Sequence, residues 1–230
     1  PFRALLSLRH IAVKKYALGA GLFLAWAALM VGSVVILGWL WPDTFGHLAT
    51  TNGHLVHNLE KLIGASVDTS AMNMPPTPLA MLPLGIFGAL MAGLTVNAIF
   101  AMAEEIMWRG YLAQAFAGRP FCKKYVTIGV LWGLWHIPLI ALGYNYGTAN
   151  ALPGSVLFIG FCVVMSLVLG FVVERTRSVW LAAVLHGTFN GFSQVMLLLV
   201  VGGSSLLASS AVGVVSLVMW LVVFAGCYIS

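Results

Sequence analysis

The chain reads as an all-α, polytopic transmembrane helical bundle of about six spans. Three observations predict it. Of its 230 residues, 61% are hydrophobic and only 7% are charged, against roughly 25% charged in an average soluble domain. Mean hydropathy is +1.01. The apolar residues also gather into runs of the length a bilayer requires, roughly 20 residues. A soluble globule of this size has no interior large enough for so much apolar surface, so lipid is the solvent for most of it. A soluble enzyme, a disordered chain and a disulfide-stapled secreted module are excluded. Each run is too long for a barrel strand, which leaves helices.

The first run, 16–41, follows Arg3, Arg9, Lys14 and Lys15. The segment 42–78 is the one sizeable piece outside the membrane and carries a single basic residue, Lys61. It holds His47, His54, His57, Glu60 and Asp68, with a weakly amphipathic stretch over 54–63. His54, His57 and Glu60 recur every three residues, so one helix face offers a metal-ligand pattern. A solvated interfacial helix with its polar residues outward is the favoured reading. The second run, 79–103, continues into a polar helical extension, and Arg109, Arg119, Lys123 and Lys124 follow. The third, 125–142, contains Pro138, which membrane helices tolerate, and no basic residue occurs over 143–152. The fourth, 153–173, ends at Arg175 and Arg177; the fifth, 179–200, ends at a turn without charge; the sixth is 206–229.

The net charge of +5 is carried in short clusters between runs. That pattern marks cytoplasmic loops, not a nucleic-acid surface. The alternation puts both termini in the cytoplasm and three loops outside, with a prokaryotic inner membrane as the expected location. Three parts follow: 1–78, an N-terminal span with an extracytoplasmic loop; 79–200, a core; and 201–230, a C-terminal span. Cys122, Cys162 and Cys227 form no metal or CxxC spacing and read as bystanders. The last four residues, Cys227-Tyr-Ile-Ser, loosely fit a prenylation box, which composition explains well enough.

The chemistry is expected where charge interrupts apolar runs. Glu104 and Glu105 directly follow the run, and Arg109 stands four residues after Glu105 with the acid N-terminal, the favourable order for a helical ion pair. Glu104 projects about 100° away, on a stripe with Asn97 and Trp108. One carboxylate is therefore neutralised while the other faces something else. His136 lies midway along the third span. His186 and Asn190, four apart, begin a polar stripe that Ser193 and Gln194 extend. Ionisable groups at membrane depth are costly and usually functional, and polar helix faces are most cheaply buried against one another. Interhelical glue is the plain alternative for each residue taken alone, but glue needs no second glutamate beyond the reach of Arg109.

A carboxylate beside an imidazole deprotonates water for attack on a carbonyl. A second imidazole and a carboxamide suit the oxyanion that develops. No serine or cysteine sits in a nucleophile-like context, Ser193 being nearest. The chemistry implied is water-mediated acyl hydrolysis, of a peptide bond above all.

Glu104, Glu105 and Arg109 fit the pattern EExxxR, Trp132 and His136 resemble FxxxH, and His186 and Asn190 fit HxxxN. In this order on successive hydrophobic helices they resemble the CPBP family of intramembrane proteases. This is the CAAX-protease and bacteriocin-processing, or ABI, family, whose eukaryotic members trim prenylated CAAX proteins. The resemblance spans about 79–200. It implies a glutamate-dependent, metal-independent endopeptidase with no cofactor, in which Glu104 activates water with His136 as partner. His186 and Asn190 then stabilise the oxyanion, and Glu105, Arg109 and Trp132 support them. Trp132 stands where the family usually has Phe, which enlarges the aromatic wall and bears on substrate choice. Expected partners are the lipid bilayer and a peptide or membrane-protein substrate, with partner subunits possible and nucleic acid excluded.

By helical rise, His186 lies roughly 10 Å from the cytoplasmic end of its span and His136 near 18 Å, so a cavity open to the cytoplasmic half is expected. Two other functions stay open: a non-catalytic subunit or assembly factor that keeps the fold, and a metal-dependent hydrolase using Glu104, His136 and His186 as ligands.

Overall fold

The computed structural model describes residues 12–63, 65–70, 72–203 and 206–229, and the described chain is largely helical. Arg3, Arg9, the turn residues 204 and 205, and Ser230 of the last four residues lie outside them. In order, the helices are α1 (Val13–Leu40), α2 (Asn52–Ile63), α3 (Met81–Leu94), α4 (Val96–Glu105), α5 (Phe121–Ala141), α6 (Ala151–Thr176), α7 (Val179–Leu199) and α8 (Val214–Ile229). After α4 the helix widens into a π-helical stretch, Ile106–Leu112, and closes with Ala113–Ala115.

Every apolar run becomes helix, and four or five crossings meet the length and apolarity of a full membrane span. The helices α1, α5, α6 and α7 are long and apolar enough to cross a membrane. The second run is not one straight span: α3 and α4 meet at Thr95 with a bend of 54°. There the hydroxyl of Thr95 donates to the Met91 carbonyl at 2.7 Å. Such back-bonding bends helices, and the Thr95 backbone leaves the helical region at φ −125, ψ −107. Counting the bent pair as one crossing gives five. The sixth run is interrupted after Leu206–Ser209 by a turn in which Gly213 N–H donates to the Ser210 carbonyl at 2.8 Å. The 16 residues left for α8 measure about 24 Å, short of the roughly 30 Å hydrocarbon layer.

Helix α7 is the hub. Its packing against α3 and α4 uses small residues that let backbones touch. A Cβ on Gly93 would stand 1.9 Å from Thr188 Oγ1, and one on Gly187 would stand 2.8 Å from the Asn97 carbonyl carbon. In the same way Gly129 and Gly133 bring α5 against α6, where an added Cβ would meet the Cα atoms of Val163 and Ile159 at 2.4 and 2.6 Å. On its other side α7 meets an aromatic core from α1 and α8. Trp26 stacks on Trp220 with centroids 5.1 Å apart, presents its edge to Phe189 and Phe192, and donates its indole N–H to Ser216 Oγ at 3.2 Å.

The two ends of the bundle differ. At one end, Lys15 Nζ donates to the Thr176 carbonyl at 2.7 Å, and Lys124, Tyr125 and Arg177 converge on Glu174. At the other, His47–Leu48 (β1) pairs antiparallel with Val200–Val201 (β2), two short strands that the run pattern does not predict. Asn58 Nδ2 donates to the carbonyls of Leu198 and Val200, at 2.9 Å each. The amphipathic stretch of the 42–78 segment is therefore a docked cap, satisfying the last carbonyls of α7.

Candidate active site

The site is built where α4 runs into its π-helical continuation. A π turn takes more residues than an α turn and recurs at functional positions. Here it turns Trp108, Arg109 and Gly110 all inward. Glu105, the last α residue, and Arg109 are both 0% exposed and joined from Arg109 Nη1 to Glu105 Oε1 at 3.0 Å. The same Oε1 accepts from His186 Nδ1 at 3.0 Å. His186 reaches it because Gly187 lets α7 lie against α4, where Asn97 Nδ2 donates to the Gly187 carbonyl at 3.1 Å.

Trp132 of α5 is the common neighbour. Its ring is 4% exposed and lies under the Arg109 guanidinium, 4.4 Å from the ring centroid, a cation–π geometry. Its indole N–H donates to Glu104 Oε2 at 2.8 Å. The His186 and His136 rings sit 5.3 and 6.1 Å from it, at steep angles. One turn on, His136 Nδ1 is 3.0 Å from the Trp132 carbonyl. A carbonyl only accepts, so Nδ1 carries the proton and Nε2 of the neutral ring keeps its lone pair. Trp135 and Phe158 wall the His136 ring on its other sides, each at 4.8 Å.

The structure thus gathers Glu104, Glu105, Arg109, Trp132, His136 and His186. Asn190, one turn beyond His186, is solvent-exposed, and its carboxamide makes no hydrogen bond among the described residues. Ser193 Oγ donates to the Asn190 carbonyl at 2.8 Å. Ser193 and Gln194 lead into a cavity of about 650 Å³ lined also by His57, Lys61, Tyr144 and Asn150. This cavity lies at the end of α7 away from the Lys15–Lys124 cluster, opposite to where the depth argument looks for an opening. The two carboxylates differ sharply in surroundings. Glu105 Oε2, with Arg109 Nε and Nη2, is buried and lacks a hydrogen-bond partner among the described residues. Glu104 is only partly buried, and its Oε1 makes no hydrogen bond among the described residues.

Among the described residues no three His, Cys, Asp or Glu side chains converge as a metal-ligand set. On α2, His54 Nδ1 accepts from Thr50 N–H at 3.3 Å and Glu60 accepts from Val67 N–H at 3.1 Å, so each has another occupation. The sequence reading missed three features: the indole bond to Glu104, the engagement of His186 by Glu105, and Asn97 as an interhelical tie. The first had a signal in the replacement of a Phe-type position by Trp, which adds a donor.

A bundle of membrane-length helices with a buried ion pair, a second carboxylate and two imidazoles gathered on one indole is an integral membrane protein with an ionisable interior. Such interiors are functional by default. Comparison with known proteins narrows the class. Residues 78–192, half of the chain, match the family described as "Type II CAAX prenyl endopeptidase Rce1-like", and the chain belongs to that family. All the residues gathered above fall inside the match. Among curated proteins, "CAAX prenyl protease 2" of Methanococcus maripaludis is 28% identical over 95 residues, covering 39% of this chain and 35% of that protein. The chain therefore spans about a third of the length of that relative. No solved structure matches it.

Proposed function

We propose that the chain is an intramembrane, glutamate-dependent endopeptidase that hydrolyses a peptide bond in a peptide or membrane-protein tail, in the manner of a CAAX protease. The observation that carries this reading is the unequal fate of two neighbouring carboxylates. Glu105 is dry and shared by Arg109 and His186, whereas Glu104 is partly exposed with one oxygen uncommitted.

Glu104 Oε1 takes a proton from water while His136 Nε2 accepts the water's other hydrogen and aims its oxygen. The water oxygen bonds to the scissile carbonyl carbon, and the carbonyl oxygen becomes an oxyanion. His186 Nε2–H and the Asn190 carboxamide donate to it. For His186 to donate from both nitrogens it must be an imidazolium; with Glu105 and Arg109 the trio then carries one net positive charge, which the oxyanion offsets. Glu104 then returns the proton to the leaving nitrogen as the C–N bond breaks. The family name points to prenylated CAAX tails as substrate. The basic end at Lys15, Lys124 and Arg177 faces the cytoplasm of a prokaryotic inner membrane under this reading.

The test uses the full chain in lipid nanodiscs with a farnesylated CAAX-tail peptide, comparing wild type with Glu104→Gln and His136→Ala. Cleavage falls by about 10²- to 10⁴-fold, the usual worth of a general base, with helicity unchanged. Full cleavage by Glu104→Gln sinks the proposal. Stoichiometric copurification with other subunits and no cleavage of tails by wild type would favour a non-catalytic subunit.

A further inference from the structure

We infer that Trp132 is a positioning residue that orients both reacting side chains, Glu104 through its indole N–H and His136 through its backbone carbonyl. The inference rests on the endopeptidase reading of the site. Its indole nitrogen is 2.8 Å from Glu104 Oε2, and its carbonyl oxygen is 3.0 Å from His136 Nδ1.

Each contact selects one atom for chemistry. A donor on Oε2 stops the Glu104 carboxylate from turning and leaves Oε1 to meet water. A proton fixed on Nδ1 leaves Nε2 of His136 as the acceptor. The indole is itself immobilised. It is nearly fully buried, carries Arg109 on one face at 4.4 Å, and has both imidazoles beside it at steep angles. On α5 it is flanked by Gly133, where an added Cβ would stand 2.6 Å from the Cα of Ile159 on α6. Sites held this way keep their geometry without reorganising at the moment of reaction. Trp132 also joins the two halves of the cluster, since the ring that supports the Glu105–Arg109 pair is the ring whose N–H reaches Glu104.

The two contacts can be separated. Trp132→Phe keeps the aromatic wall and the carbonyl but deletes the donor to Glu104. A hydrogen bond to a charged group is strong enough that its loss lowers kcat about 10- to 100-fold. Because the bond aims a reacting group and does not hold substrate, KM for the farnesylated peptide stays within about threefold. A structural role alone would lower the unfolding temperature and leave kcat per folded molecule unchanged.

A spectroscopic measurement accompanies it. The chain has eight tryptophans, and ¹⁵N labelling in nanodiscs resolves their indole N–H resonances, with that of Trp132 assigned by its absence from Trp132→Phe. If that variant does not fold, Trp132→Tyr serves for the assignment. The Trp132 resonance is expected to move in Glu104→Gln. An indole resonance unmoved by Glu104→Gln, or wild-type kcat in folded Trp132→Phe, overturns the inference. Cleavage by Glu104→Gln at the wild-type rate overturns the endopeptidase reading instead, whatever the indole reports. An inactive Glu104→Gln with an unmoved indole removes the positioning role alone.

Discussion

Replacing Glu105 with Gln keeps the side chain's shape and removes its charge, leaving Arg109 as a lone cation with 0% exposure. Its Nε and Nη2 already lack partners among the described residues, none of which stands ready to take over from the carboxylate. Breaking a buried pair from one side costs about 3–5 kcal/mol. The bond to His186 Nδ1 falls from the charged class, about 1.5–3 kcal/mol, to the neutral one, about 1 kcal/mol, which adds about 1 kcal/mol or more. The cation–π contact of Arg109 with Trp132 exists with or without Glu105 and does not alter the difference. At about 2–4 °C per kcal/mol for a chain of this size, the unfolding temperature falls by roughly 10 °C or more. Circular dichroism of detergent-solubilised protein on heating measures it. The double variant Glu105→Gln with Arg109→Met is expected to be more stable than Glu105→Gln alone, because the uncompensated charge is gone. An unfolding temperature for Glu105→Gln within a degree or two of wild type would refute the argument, and so would a double variant less stable than the single one.

Two further predictions concern packing and pH. Gly187→Ala places a methyl 2.8 Å from the backbone carbon of Asn97, so α7 must back away from α4 at a cost of about 1–3 kcal/mol, seen as a lower unfolding temperature and lost cleavage. Gly88→Ala, with nothing within 4 Å, is the matched control and leaves both unchanged or slightly improved. Tyr146, in the connection before α6, donates its hydroxyl to the Val212 carbonyl at 2.7 Å. Burial, aided by nearby Cys162, pushes its phenol well above the ordinary value. A folded value raised above the unfolded one means its stabilisation is complete below about pH 10 and declines as pH rises beyond that. Thermal melts of wild type should therefore lose stability above that pH more steeply than melts of Tyr146→Phe. Parallel pH dependence in the two proteins would contradict the assignment.

What the sequence could and could not reveal follows the range of the interactions. Hydrophobic length depends only on local composition, so α1, α5, α6 and α7 are legible to within a few residues. The Glu105–Arg109 pair is legible too, since four residues along one helix determine it. The bend at Thr95 was not, because a threonine hydroxyl bonding back to Met91 competes with ordinary helix continuation in a way that pattern cannot decide. Docking of α2 through Asn58 to residues 198 and 200 was equally hidden: the amphipathic stretch was visible, but its partner lies some 140 positions away. At the site, spacing identified which residues share a helix face but not which atoms meet across helices. The sequence pairs the spare carboxylate with His136 and, for the oxyanion, offers His186. In the folded chain its Nδ1 goes to Glu105, and the contact to Glu104 comes from the indole of Trp132.

That exchange of partners bears on why two glutamates stand together. Successive helical residues point about 100° apart, so one helix end can serve a dry compartment and a wetter one at once. Glu105 turns into the dry side, where its charge is tolerable only because Arg109 and His186 share one oxygen. Glu104 turns toward the other, where a single neutral donor holds it and partial exposure keeps its charge affordable. Were the cluster only interhelical glue, an apolar residue in place of Glu104 would spare the helix a charge at membrane depth and keep the Glu105–Arg109–His186 tie, losing only the Trp132 indole bond. Glu104 ties α4 to α5 through the Trp132 indole with one oxygen only, and the water-activating role proposed for it gives the other oxygen a use.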